Sequence, residues 1–213
     1  MVDEEIQRRQ SSHFSLLRSY RLADLLTLAN AFAGTASILF MMSYLLTPEP
    51  WRVHLALGLL PVALGFDMAD GFVARWRHQH SGFGQELDSL ADIVSFGVAP
   101  IVVAYGLGMR GGWDALIFLF FVGCGISRLA RFNVTAAELS DAKGKVQYFE
   151  GTPIPSSLLL ILILAGCFYT GRVGDKLPLG AVTFVSVQWH PLSLLYFVNG
   201  CAMTSKTLRI PKP

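Results

Sequence analysis

The stretch FDMADGFVARWRHQHSGFGQELDSLAD, residues 66–92, carries four aspartates: Asp67, Asp70, Asp88 and Asp92. It is preceded by WRVHLALGLLPVALG and followed by IVSFGVAPIVVAYGLG, both apolar. Ionisable groups are costly inside a bilayer, so carboxylates at the ends of two apolar runs point to a function. Asp67 and Asp70 are three apart and Asp88 and Asp92 four apart, so each pair shares a helix face. If the two runs form a helical hairpin through residues 75–84, the faces meet, and four like charges then need cations between them. Mg²⁺ or Mn²⁺ suits an all-oxygen site. Two such ions can clamp a diphosphate and stabilise an in-line displacement. Gly71 and Gly84 allow close backbone approach. Arg75, one turn beyond Gly71, can bind a phosphate oxygen. The spacing implies a two-metal phosphoryl-transfer site. For any single aspartate, helix-end capping is the plainer alternative.

Composition says what surrounds this site. Of 213 residues, 53% are hydrophobic and only 15% charged, with a mean hydropathy of +0.48. Soluble domains carry about 25% charged residues, and about 20 apolar residues span a bilayer as a helix. Six candidate spans can be drawn, at 22–46, 54–74, 86–108, 113–131, 154–171 and 180–203. They leave no room for a separate soluble domain. The expected fold is all-α, a six-transmembrane-helix bundle forming one membrane domain over residues 22–213. The second and third spans are kept despite their aspartates, because a polar face can turn into the bundle. Pro191 is expected to kink the last span. Residues 1–21 are polar but hold Ile6, Phe14, Leu16, Leu17 and Tyr20. They read as a cytoplasmic N-terminal segment, either an amphipathic juxtamembrane helix or a frayed tail, and no cleaved signal peptide is expected.

Charge sets the orientation. With the N-terminus in the cytoplasm, only Arg52, Arg110, Arg172 and Lys176 of the 17 Lys and Arg residues fall outside. The other thirteen flank the cytoplasmic ends, which satisfies the positive-inside rule. Both termini and all four aspartates are then expected at the cytoplasmic face. A net charge of +2 does not suggest nucleic acid. Cys124, Cys167 and Cys201 lack metal-ligand spacing and read as small packing residues.

The aspartates belong to a longer pattern, D-x-x-D-G-x-x-A-R-x8-G-x-x-x-D-x-x-x-D, matched at Asp67, Asp70, Gly71, Ala74, Arg75, Gly84, Asp88 and Asp92. A random chain of this length would match it with a probability of roughly 10⁻⁷ or less. The pattern resembles the signature of the CDP-alcohol phosphotransferases, and the likeness runs from the first span to the end. That family consists of six-helix membrane enzymes, commonly homodimers, that displace CMP from a CDP-linked donor with an alcohol. The resemblance implies that Asp67, Asp70 and Asp88 are metal ligands and that Asp92 is both a metal ligand and the catalytic general base. It also implies that Asn30, Gly71, Arg75 and Ser81 contact the CDP-lipid.

Three further stretches are similar to the serine-using branch of the family: GQELDSLADIVSFGVAP (84–100), SRLARFNV (127–134) and YFEGTPIPSS (148–157). The C-terminal IPKP (210–213) fits as well. The substrates implied are CDP-diacylglycerol and L-serine in membrane lipid, with phosphatidylserine and CMP as products. The membrane would be the endoplasmic reticulum or a bacterial inner membrane. A glycerol-phosphate or inositol acceptor stays open. A cation transporter is a further alternative, but it does not require Arg75 and two glycines at these spacings.

Serine needs a cation for its carboxylate and an acceptor for its ammonium. Arg128 and Arg131, three apart in the fourth span, offer guanidinium forks, although topology-setting charge is the plainer reading. Ser95 and Phe96, one turn beyond Asp92, are expected to line the same pocket. Glu150 is a partner for the ammonium, with ordinary loop solvation as its alternative.

Overall fold

The structure is a computed structural model that describes residues 21–76, 82–141, 148–205 and 209–211. The expected amphipathic segment, residues 1–20 of it, and Ser81 lie outside the described residues. Helix α1 (Leu22–Leu46) opens where the Asp24 carboxylate accepts the Arg21 backbone N–H at 2.8 Å. It stops at Thr47, one residue before a proline, as the restriction on pre-proline backbone requires. Helix α2 (Pro50–Trp76) begins on a proline, whose missing N–H costs nothing in the first turn. Arg52 secures this first connection by donating to the Ser43 carbonyl at 2.7 Å while pairing with Glu49 at 2.9 Å.

The third segment, Gly82–Leu107, is one continuous helical run in three parts. Helix α3 (Gly82–Asp92) passes through a π turn, Ile93–Val98, into α4 (Ala99–Leu107). Pro100 has no N–H to offer the Phe96 carbonyl four residues back, so the regular ladder cannot close there. The wider turn accommodates the gap, and Tyr196 donates to the Pro100 carbonyl at 3.0 Å. Then come α5 (Gly112–Asp141), strand β1 (Tyr148–Glu150) and α6 (Ser157–Tyr169). Strands β2 (Val182–Phe184) and β3 (Val187–Trp189), α7 (Leu194–Thr204) and β4 (Arg209–Pro211) complete the chain. β1 pairs antiparallel with β4, and β2 with β3.

Among the described residues six helical segments follow one another, counting α3–α4 as one. Four are long and apolar enough to cross a membrane: Leu22–Leu46, Pro50–Trp76, Gly82–Leu107 and Gly112–Val134. α6 and α7 are shorter. Phe32, Leu46, Leu119 and Leu159 are each more than 60% exposed. An apolar outer surface of this kind fits lipid as its solvent. The chain is an all-α integral membrane protein.

The last expected span needs correction. Residues 180–190 do not join a helix over 180–203. They form the β2–β3 hairpin, whose turn residues Val185 and Ser186 both have positive φ, the backbone of a tight two-residue hairpin. Pro191 does not kink a span; it opens the short turn that leads into α7. The hairpin is pinned to α5 by Asp114, which is fully buried. Its carboxylate accepts the backbone N–H groups of Gly111 and His190, both at 2.9 Å, and meets the His190 ring.

Small residues set how closely the helices pack. A Cβ on Gly34 would overlap Ser95, and one on Gly106 would overlap Met41. Gly34→Ala should therefore destabilise the protein by about 1–3 kcal/mol, the usual cost of overpacking, and lower its melting temperature in detergent. An unchanged melting temperature would show that α1 and the π turn can separate without cost.

Candidate metal centre and active site

Helices α2 and α3 bring the aspartates together. One oxygen from each of Asp67, Asp70 and Asp88 lies within 4.8 Å of the other two. Oxygen ligands of Mg²⁺ sit about 2.0–2.1 Å from the ion, so three oxygens at this spacing can close on one cation. Asp70 and Asp92 are buried, at 6% and 7% exposure, while Asp67 and Asp88 are half-buried. Asp92 lies beside this trio, with its side chain meeting that of Asp67.

The side chains that donate hydrogen bonds to Asp70 and Asp92 carry no charge. Thr27 donates to Asp70 Oδ2 at 2.7 Å, and Asn30 donates to Asp92 Oδ1 at 3.2 Å. Both donors are neutral. Asp88 Oδ1 is buried with no hydrogen-bond partner. An unpaired buried carboxylate oxygen is costly, and a hard cation held by oxygens is the group that fits it. On the rim, Arg75 is exposed and folds back along α2. Its Nη1 comes 3.5 Å from where a Gly71 Cβ would stand.

The remaining expected residues spread over three places. Ser95 and Phe96 are fully buried by the π turn. They pack behind the carboxylates and do not line an open cavity: Ser95 donates to the Asn30 carbonyl at 2.9 Å, and Phe96 joins the core. Arg128 lies close enough to Asp92 to interact with it electrostatically, and its Nε is buried without a partner. Arg131 points elsewhere, with Nη2 3.5 Å from the Thr204 carbonyl. Glu150 is in β1, next to the C-terminal strand.

Sequence reasoning missed two groups of polar residues. One is Thr27 with Asp24, on the face of α1 that also buries Asn30, Gly34, Ser37 and Met41. That spacing of three and four was legible as a polar stripe on an apolar helix. The other links α3 to α5. Asn133 donates to Ser89 Oγ at 3.0 Å and accepts from Gln85 Nε2 at 3.2 Å. Gln85 and Ser89 share a helix face, but their partner on α5 was not legible.

A family model described as CDP-alcohol phosphatidyltransferase matches residues 20–203, from the start of α1 to the end of α7. The chain belongs to that family. It is therefore a phosphotransferase, and enzymes of this family depend on divalent metal. The chain is 45% identical over 204 residues to a CDP-diacylglycerol–serine O-phosphatidyltransferase of Saccharomyces cerevisiae, covering 94% of this chain and 74% of the yeast protein. It is 38% identical to an archaetidylserine synthase of Methanothermobacter thermautotrophicus, over 66% of this chain and 55% of that protein. A Helicobacter pylori CDP-diacylglycerol–serine O-phosphatidyltransferase is 36% identical, over 68% of this chain and 56% of its own length. The matched stretch thus spans little more than half of the archaeal and Helicobacter proteins.

Proposed function

We propose that this enzyme transfers the phosphatidyl group of CDP-diacylglycerol to the hydroxyl of L-serine, giving phosphatidylserine and CMP. The observation that carries the reading is the 45% identity, over 94% of this chain, to a yeast enzyme named for that reaction. The aspartate cluster at the end of the α2–α3 hairpin supplies chemistry suited to it. The proposed catalytic unit is residues 22–213, acting as a homodimer in the endoplasmic reticulum or a bacterial inner membrane. The excess of Lys and Arg on one side of the spans favours a site and both termini facing the cytoplasm.

Asp67, Asp70, Asp88 and Asp92 would hold two divalent cations, Mg²⁺ or Mn²⁺, which when bound neutralise and align the donor's diphosphate. Gly71 leaves room for the donor, while Arg75 and Ser81 contact its phosphates and nucleotide. Asp92 accepts the proton of the serine hydroxyl. The serine oxygen then attacks the lipid-linked phosphorus, the bond from that phosphorus to the bridging oxygen breaks, and CMP leaves with the electron pair. Arg128 is the better placed of the two arginines for the serine carboxylate, because its buried Nε lacks a partner and its charge lies near Asp92.

The test is an acceptor panel with purified protein, CDP-diacylglycerol and metal, comparing serine, glycerol 3-phosphate, inositol, inositol phosphate and ethanolamine. Serine should be the preferred acceptor, and a clear preference for another alcohol would overturn the reading. In the same assay Arg128→Ala should raise the serine KM about 10- to 150-fold, the equivalent of one charged hydrogen bond, with little effect on the KM for CDP-diacylglycerol. Lys should restore only part of this, since it lacks the bidentate fork. An unchanged serine KM would assign the carboxylate to another group.

A further inference from the structure

We propose that the β2–β3 hairpin is an interfacial anchor, with its apolar face and tip seated among the lipids of the leaflet opposite the aspartates. The aspartates stand toward the C-terminal end of α2 and on α3, and the run from α3 through α4 leads away from them to Leu107. With 26 residues, this run is about 39 Å long, enough to cross the hydrocarbon. α5 therefore starts at the far end of the bundle, and the hairpin is fastened there. Asp114 accepts the His190 backbone N–H at 2.9 Å, and Trp113 Nε1 donates to the Phe184 carbonyl at 3.1 Å. A Cβ on Gly111 would overlap the Gln188 carbonyl, so β3 lies directly on the start of α5.

Charge and exposure identify what covers it. From Leu177 to Ser205 the chain holds no Asp, Glu, Lys or Arg, although residues 181–188 are all exposed. Edge strands in water carry charges, Lys above all, that keep them from pairing with other chains. Here the paired residues Val182–Trp189 and Phe184–Val187 share one face, and Thr183–Gln188 lie on the other. The hairpin is amphipathic without being charged. Phe184 is 59% exposed and Val185, at the tip, 72%. The Trp113 and Phe184 rings, with centroids 6.0 Å apart, place aromatic bulk where membrane proteins concentrate Trp. The lipid-facing surface runs into this patch along α7, where Phe197 and Val198 are exposed. α7 with the turn before it, Pro191–Thr204, is only about 21 Å long, against a hydrocarbon core of about 30 Å. Its Thr204 end sits level with Arg131, close to the end of the fourth span, so the missing depth is on the hairpin's side. A two-stranded sheet has open edges, whose N–H and C=O groups cannot enter hydrocarbon. The headgroup boundary is the depth that satisfies both the apolar face and those edges. Just before the hairpin, Arg172, Asp175 and Lys176 are exposed and mark the water beside it.

The test uses the full chain in phosphatidylcholine nanodiscs, with a nitroxide spin label on Val185→Cys. The exposed Cys201 is first changed to Ala, while Cys124 and Cys167 are buried and stay. Power saturation reads the label's collisions with oxygen, which concentrates in lipid, and with a water-soluble nickel chelate. The oxygen-to-nickel ratio should be about 3- to 10-fold higher at Val185→Cys than at Lys176→Cys, as for a side chain sunk about 5–10 Å into the boundary. Thr183→Cys, on the polar face, should read close to Lys176→Cys. Val182→Cys, on the apolar face, should follow Val185→Cys, and it carries the test if Val185→Cys fails to fold. Equal ratios at Val185→Cys and Lys176→Cys would put the tip in water and overturn the proposal. Low collision rates with both reagents would mean that protein covers the hairpin, a second copy where the spectrum shows dipolar broadening, and would also overturn it. A ratio as high at Thr183→Cys as at Val185→Cys would sink the whole hairpin into hydrocarbon, and the interfacial placement would fall.

Discussion

Protein stripped of divalent cations by a chelator should form no phosphatidylserine, and added Mg²⁺ or Mn²⁺ should restore the reaction. The oxygens of Asp67, Asp70 and Asp88 lie within 4.8 Å of one another. At an effective dielectric constant of about 20, each ionised pair at that distance repels by about 3.5 kcal/mol. Asp70 has only the neutral Thr27 hydroxyl as a side-chain donor and Asp67 meets a further carboxylate, Asp92, so a cation is the group that offsets this repulsion and also binds a diphosphate. Asp67→Asn and Asp88→Asn should each remove nearly all activity and raise the metal concentration needed for what remains. A metal titration of each variant, followed by CMP release, checks this. Full turnover in excess chelator would eliminate the metal-dependent mechanism.

Asp92→Asn should behave differently from these two. Asp92 is not one of the three carboxylates whose oxygens converge, and it stands beside them on α3. Its loss should leave much of the donor binding intact while lowering turnover by about 10²–10⁴-fold, the usual scale for a lost general base. Donor binding and single-turnover rate should be measured on the same preparation. A near-normal rate would take the proton-accepting role away from Asp92. A collapse of donor binding would instead place Asp92 chiefly among the metal ligands.

The sequence by itself determined the membrane class, the carboxylate cluster and the family. Each of these is written in local signals. Apolar runs of span length need no tertiary knowledge to be seen. Asp67 with Asp70, and Asp88 with Asp92, share faces through the helical repeat alone. Local signals failed where two conformations satisfy the same hydropathy. Residues 180–190 are apolar enough to be read as part of a span, yet the β2–β3 hairpin forms there, with positive φ at Val185 and Ser186 and an anchor on buried Asp114.

The tertiary structure decided what stands behind each carboxylate. Thr27 reaches Asp70 across 43 residues of chain, Asn30 reaches Asp92 across 62, and Ser95 reaches Asn30 across 65. Such pairings depend on which faces of α1, α2 and the π turn meet. That is set by the glycines that let the helices approach and by a proline that cannot complete the helix ladder. The same holds for Arg128 and Arg131. Three residues apart, they are equivalent by spacing, but packing leaves one with an unpartnered buried nitrogen near Asp92 and turns the other toward the end of α7.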